Sequence, residues 1–156
     1  MPQIIMKHLR NLSLITAIAG FLLGALSAHA GEGWMHDYDK ALAQAKAEGK
    51  YVLVEFHGSD WCPPCIKLNK DVLTTDAFKS LAAEKLVLVD ADFPRKKELP
   101  AEVKAHNEAL AGKFGIQYFP TVLIINGEGK VLDKMVGFPD GGLEGFLKFI
   151  KDKTDS

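Results

Sequence analysis

Tyr51-Val52-Leu53-Val54-Glu55-Phe56-His57-Gly58-Ser59-Asp60-Trp61-Cys62-Pro63-Pro64-Cys65 is the stretch on which the reading of this chain turns. Its first six residues form a short apolar, partly β-branched run, which reads as a buried strand. Gly58 then opens an exposed turn, and the residues from Lys67 onward have helical composition, so Cys62 falls at the start of a helix. Unpaired amides at a helix N-terminus stabilise negative charge, so a thiol there ionises more readily than a free cysteine. The thiolate is the species that attacks a disulfide, and Cys65, one turn further in, is placed to resolve the mixed disulfide that results. The two prolines between them remove two amide donors and stiffen the loop, and Pro63 stands where a helix tolerates proline best.

Other uses of the pair fit less well. The chain has only two cysteines, and a zinc site needs about four ligands. His36, His57 and His106 lack finger or ribbon spacing. Covalent haem attachment needs histidine directly after the second cysteine, where Ile66 stands. A structural disulfide closing so short a loop stabilises little. Redox exchange is the reading that remains, with the Cys62–Cys65 disulfide itself as the redox group and neither cofactor nor metal expected.

Outward from this stretch, elements alternate. Trp34, Tyr38, Ala41, Leu42 and Ala45 recur at helical spacing, with Gly49 placed to end that helix. The helix after Cys62 runs toward Leu81, interrupted at Thr74-Thr75-Asp76, which caps a second piece. Leu86 to Val89 reads as a second buried strand, followed by a charged connection from Asp92 to Leu99. Pro100 opens a helix marked by Val103, Asn107, Leu110 and Phe114. Pro120 to Ile125 and Lys130 to Val136 are strands joined by Asn126-Gly127-Glu128-Gly129, a hairpin signal. Leu143, Phe146, Leu147 and Ile150 make the stripe of a last helix. Alternating strands and helices imply an α/β domain with a parallel portion, to which the hairpin adds an antiparallel edge.

Residues 1–30 stand apart from this domain. Lys7, His8 and Arg10 make a basic start, Leu12 to Ala28 is uncharged, and Ala28-His29-Ala30 has the small-x-small form of a signal-peptidase site. The division is therefore 1–30 signal peptide and 31–156 folded domain. An uncleaved N-terminal membrane anchor is the rival, since 17 uncharged residues reach the lower limit for a span. Taking away Lys7 and Arg10 leaves 17 basic against 20 acidic residues, net −3. A mildly acidic domain without a basic stripe is no nucleic-acid binder. The expected product is exported, soluble and monomeric, in the periplasm of a Gram-negative bacterium.

Across residues 34–152 the sequence resembles the thioredoxin superfamily. Val52 to Phe56 precedes Trp61-Cys62-Pro63-Pro64-Cys65 as the central strand precedes the active site there. Phe114 to Thr121 resembles the segment ending in the family's cis-proline. Val122 to Ile125, Asn126-Gly127-Glu128 and Val136-Gly137 resemble the strand, turn and glycine that come after that proline in the family. The resemblance implies a thioredoxin fold: a central mixed sheet of four to five strands flanked by helices, with a C-terminal β-hairpin and helix. It also implies a cis Phe119-Pro120 bond facing the cysteines. Trp61, Pro64, Phe119, Pro120 and Gly137, with Phe138, would then form the substrate-docking surface, although each aromatic also suits ordinary core packing.

Departures from the cytosolic pattern leave roles open. Cys-Pro-Pro-Cys replaces Cys-Gly-Pro-Cys, and His57-Gly58-Ser59-Asp60 is one residue longer than the common spacing. Glu55 falls where the family has a buried acid that helps deprotonate the inner cysteine; it either accepts the Cys65 proton or points to solvent. His57 either stabilises the Cys62 thiolate or caps the loop, Asp60 opposes the thiolate if near, and Leu86 to Val89 carries no lysine to partner the acid. His106 reads as solvated or packed. The resemblance implies thiol–disulfide exchange on exported proteins, most readily disulfide reduction driven by a membrane-bound electron donor. Disulfide oxidation or isomerisation is the alternative direction, and copper binding by Cys62, Cys65 and His57 the alternative class.

Overall fold

The computed structural model describes residues 33–155. Strands β1 (Trp34–Met35), β2 (Tyr51–His57), β3 (Leu86–Asp92), β4 (Thr121–Ile125) and β5 (Val131–Val136) form one sheet in the order β1-β3-β2-β4-β5. The β1–β3 and β2–β3 pairs are parallel, and β2–β4 and β4–β5 are antiparallel. Helices α1 (Tyr38–Glu48), α2 (Pro63–Leu68), α3 (Asp76–Lys85), α4 (Ala101–Phe114) and α5 (Gly142–Thr154) complete the domain, and a π-helical turn, Asn69–Leu73, extends α2. This is the mixed-sheet α/β arrangement of the thioredoxin fold.

Side chains alternate between the faces of the sheet. One face, with Leu53, Leu88, Val122 and Ile124, buries Leu68 and Val72 after the cysteines, Phe78 of α3, and Phe146 and Ile150 of α5. The other, with Val52, Val54, Phe56 and Val89, buries Tyr38, Ala41 and Ala45 of α1 and Leu110 of α4. With both faces covered, β2 and β3 are apolar through most of their length, and β2 lies between β3 and β4. The cysteine loop therefore leaves the carboxyl end of the most protected strand.

Local chemistry sets the element ends. Asp37 caps α1 by accepting from the Lys40 N–H, and Gly49 ends it in the left-handed region at φ 65°. Trp34 consequently lies outside the helix whose stripe it was expected to join, and pairs with Leu88 in β1 instead. Thr75 caps α3 through the Phe78 N–H, as its position implies. The hairpin closes with Gly129 N–H donating to Asn126 O. Pro120 lies just ahead of β4 rather than in it, and β5 begins at Val131. The expected signal or anchor segment, 1–30, lies outside the described residues.

Candidate active site

Cys62 is the N-cap of α2, with extended backbone, and Pro63 and Pro64 occupy the first helical positions. The Cys62 N–H donates to Gly58 O at 3.1 Å, and the Cys62 carbonyl accepts from the Ile66 N–H at 3.0 Å. Of the first three helical residues only Cys65 retains an amide hydrogen, because the other two are prolines. The helix terminus thus offers a Cys62 thiolate a single main-chain donor where most helices offer three. The cysteines form a disulfide with Cα atoms 5.3 Å apart. Both are buried, beneath the exposed Pro63 and Pro64.

The strand end from which the cysteine loop leaves carries a group of ionisable side chains. Glu55 and His57 share one face of β2, and in the parallel register Glu55 is opposite Asp90 and His57 opposite Asp92. The four occupy the sheet face that carries Leu53 and Leu88, at the carboxyl ends of two adjacent strands. Glu55 is 3% exposed, and its Oε1 has no hydrogen-bond partner. Burial pushes its pKa up to about 7; the charge of His57 opposes this, while Asp90 and Asp92 add to it. Of the two readings of Glu55, the solvent-facing one is therefore wrong.

His57 neither caps the loop with its side chain nor stands free. Its Nε2 lies 2.6 Å from Asp90 Oδ1 and 3.9 Å from Asp92 Oδ1. Burial disfavours the imidazolium, but the Asp90 hydrogen bond and the charges of Glu55, Asp90 and Asp92 outweigh it and raise the pKa to about 9. At neutral pH this histidine is a cation held by carboxylates. Burial likewise works to raise the pKa of Asp92, yet Lys97 Nζ at 2.7 Å, the Ser59 N–H and hydroxyl, and His57 hold it below the ordinary carboxylate value. No lysine stands in β3, but one reaches the group from the following loop.

That loop is fastened by Asp60. Its carboxylate accepts from the N–H groups of Arg95, Lys96 and Lys97 at 2.8–3.0 Å. The Arg95 amide is the largest influence holding its pKa below the usual range. Asp60 is thus a loop anchor rather than a charge set against the thiolate. Trp61 donates from Nε1 to Phe93 O at 2.7 Å and packs edge-on against Phe119, centroids 6.0 Å apart. The Arg95 guanidinium lies 3.7 Å over the Trp61 ring, and Phe93 stacks on Phe119. Gly58 passes so close that a Cβ there would fall 2.4 Å from the indole.

Phe119-Pro120 is cis. Phe56 pairs with Thr121, so Pro120 sits level with the end of β2, where the cysteine loop starts. The Trp61–Phe119 contact draws the two motifs together. Gly137, at φ 85°, donates its N–H to Pro120 O at 2.8 Å. The N–H and C=O of Phe119 enter no backbone hydrogen bond among the described residues. Pro64 is exposed, Trp61, Phe119, Gly137 and Phe138 are half-buried, and Pro120 is buried.

A family model described as thioredoxin-like matches residues 33–127. The chain belongs to the thioredoxin-like family. It is 36% identical over 114 residues to the disulfide bond reductase DsbH of Chlamydia pneumoniae, spanning 73% of this chain and 68% of that one. It is also 39% identical over 89 residues to a thioredoxin of Chlorobaculum thiosulfatiphilum, spanning 56% and 67%. A solved structure of a DsbH oxidoreductase superposes with a TM-score of 0.72 at 32% identity, covering 84% of this chain and 93% of that one. With its redox-active Cys62–Cys65 pair, this member of the family is a thiol:disulfide oxidoreductase.

Sequence reasoning brought Cys62, Cys65, Glu55, Trp61 and Pro120 to one end of the sheet. It missed Asp90, Asp92 and Arg95. A signal for the two aspartates was present: Glu55-x-His57 and Asp90-x-Asp92 have the same period of two, at the ends of strands that must be neighbours. The copper set finds no geometric support. His57 is engaged by Asp90, and among the described residues no three His, Cys, Asp or Glu side chains converge as ligands. His106 is neither purely solvated nor purely packed, because its Nε2 accepts from the Tyr38 N–H at 3.0 Å.

Proposed function

We propose that this protein is an exported disulfide reductase that uses Cys62 as nucleophile and Cys65 as resolving thiol. The Cys62 thiolate attacks one sulfur of a substrate disulfide, forming a mixed disulfide and releasing the other substrate sulfur as a thiolate. Cys65, deprotonated, then attacks Cys62 Sγ; the Cys62–Cys65 disulfide forms and the second substrate thiolate leaves. Two electrons pass from the protein to the substrate. Glu55, whose pKa near 7 suits a base at neutral pH, accepts the Cys65 proton. The substrate segment lies along the free edge of Phe119, as added strands do elsewhere, against Trp61, Pro64 and Gly137.

The observation that carries the direction is the pair of prolines. Strong oxidants of this chemistry are those whose reduced thiolate is well stabilised. Here Pro63 and Pro64 leave the thiolate one helix amide, which disfavours the reduced state and makes it a better electron donor. The likeness to a protein named as a disulfide bond reductase points the same way. Export rests on the character of residues 1–30. An oxidising compartment does not regenerate the dithiol, so a membrane-bound electron donor is part of the proposal. The protein acts as a monomer on protein disulfides, and nucleic acid has no place in it.

Equilibration with redox buffers tests the direction. A potential below about −200 mV is expected, and one near about −120 mV, the oxidant end of the range, overturns it. A Cys65→Ser variant expressed with the full leader tests the rest: mixed disulfides on Cys62 should accumulate on exported proteins. Their absence sinks the exchange reading.

A further inference from the structure

We infer that the Phe93–Lys97 loop selects disulfides flanked by acidic residues, with Arg95 as the residue that reads the carboxylate. This rests on the reading of the chain as a reductase of protein disulfides and names the class of segment it prefers.

The Arg95 guanidinium carbon lies 3.7 Å from the centroid of the Trp61 ring, and the neighbour of Trp61 in sequence is the attacking Cys62. A guanidinium held over an aromatic ring retains N–H groups for other partners, and its fork takes a carboxylate by two parallel hydrogen bonds. Arg95 and Lys96 are exposed, and neither has a carboxylate within ion-pair distance among the described residues. Lys97 differs, being spent on Asp92. The nearest acid in sequence contact, Asp60, is turned onto the backbone amides of the loop. The Arg95 guanidinium thus lies without an ion-pair partner among the described residues beside the tryptophan that precedes Cys62, and Lys96, whose charge is felt by the Asp60 carboxylate, follows it in the loop.

The loop is also pre-organised. Three amides on one carboxylate, the Trp61 hydrogen bond to Phe93 O and the Phe93–Phe119 stack hold it before any substrate arrives. Little ordering remains to be done on binding, so the charge contact is expressed in selectivity. A substrate strand running past Phe119 brings the residues beside its cysteine under Arg95.

The test uses the reduced protein and three peptide disulfides of one sequence, differing only in Asp, Asn or Lys beside the cysteine. Single-turnover reduction is followed by quenched-flow chromatography. The Asp peptide is expected to react about fivefold faster than the Asn peptide at low salt, the size of a favourable exposed ion pair, and the Lys peptide slowest. Raising the salt to about 0.5 M should collapse the ratios. In an Arg95→Gln/Lys96→Gln variant the Asp-to-Asn ratio should fall to about one, while Arg95→Lys, which keeps the charge and loses the fork, should fall between the two. A ratio unchanged in the double variant, with all three peptides slowed alike by a displaced Trp61, overturns the inference. So does a wild type that reacts equally with all three at low salt. A wild type that reduces none of them sinks the reductase reading itself.

Discussion

Replacing Glu55 by glutamine is expected to stabilise the oxidised protein at alkaline pH and to leave it nearly unchanged at acid pH. The carboxyl is 3% exposed, and burial raises its pKa from 4.5 to about 7. A difference of about 2.5 units corresponds to about 3 kcal/mol. The sign follows from where the proton sits. Below pH 4.5 the group is neutral in both the folded and unfolded chain and costs nothing. Between 4.5 and 7 the unfolded chain gives up the proton while the folded one keeps it, so stability falls. Above 7 the whole loss, about 3 kcal/mol, is in place. His57 adds a fall of the same sign: its raised pKa stabilises the fold below 6.5, and that contribution disappears as pH passes 9. Part of the His57 slope survives in the variant, so the diagnostic is the difference between wild type and Glu55→Gln at pH 4 and again at pH 8. Urea unfolding with the disulfide intact reads it. At an m-value of about 1–3 kcal/mol/M, the pH 8 midpoints should separate by about 1–3 M in favour of glutamine, against little at pH 4. Equal separations at the two pH values would refute the reasoning, because a packing or amide effect is indifferent to pH. On the proposed role of Glu55 the same variant also lacks the base for Cys65, so its resolution step should slow as its stability rises.

Three further outcomes rest on the same geometry. Pro63→Ala restores an amide at the first position of α2; one charge-assisted hydrogen bond, about 1.5 kcal/mol at its weaker end, should lower the Cys62 pKa by about one unit. The potential should rise by up to about 30 mV, read by thiolate absorbance and glutathione equilibration; an unmoved thiol pKa counts against the amide account. Gly58→Ala places a methyl 2.4 Å from an indole already braced by Phe93, Arg95 and Phe119. Overpacking of this kind costs about 1–3 kcal/mol, and urea unfolding with tryptophan emission should show both the loss and a shifted Trp61 environment. Asp60→Asn halves the acceptor oxygens available to three N–H groups; hydrogen exchange at amides 95–97 should quicken while the core strands keep their protection.

The parts of this molecule that can be read from sequence are those whose chemistry is local along the chain. The cysteine spacing, the proline before Thr121, the hairpin turn and the Thr75 cap each depend on neighbours within a few residues. The strand ends were less legible for the opposite reason. Leu86 to Val89 looks like a complete strand because Asp90 and Asp92 look like the start of a loop, yet β3 continues to Asp92. It continues because its polar end has partners. Asp90 is met by His57, and Asp92 by Ser59 and Lys97. None of these contacts is visible without the parallel register of β2 on β3. Glu55 was half legible: a strand position fixed which side chains it joins on a face, whereas burial depended on the helix laid over that face. Trp34 failed differently. Helical spacing is a weak signal over one turn, and the Asp37 cap starts the helix at Tyr38, four residues after Trp34.

The one-residue extension between β2 and Trp61 takes on a meaning in the folded molecule. Ser59 and Asp60 each turn back to the segment after β3, Ser59 to Asp92 and Asp60 to the amides of 95–97. The loop before the cysteines and the loop after β3 are therefore one unit, closed by carboxylates of opposite provenance: Asp92 accepts from the first loop, Asp60 from the second. Lys97, whose backbone is held by Asp60, reaches back to Asp92 and completes the circuit. Within that unit Trp61 is fixed on three sides, by Phe93, Arg95 and Phe119. On the proposed reductase reading, a protein that donates electrons through a thiolate with one helix amide needs rate from elsewhere. Positioning of the substrate disulfide by a rigid aromatic and cationic rim can supply it without stabilising the thiolate, and so without making the protein an oxidant. The prolines and the clasped loops are on this view two halves of one solution: the first keeps the potential low, and the second places the substrate.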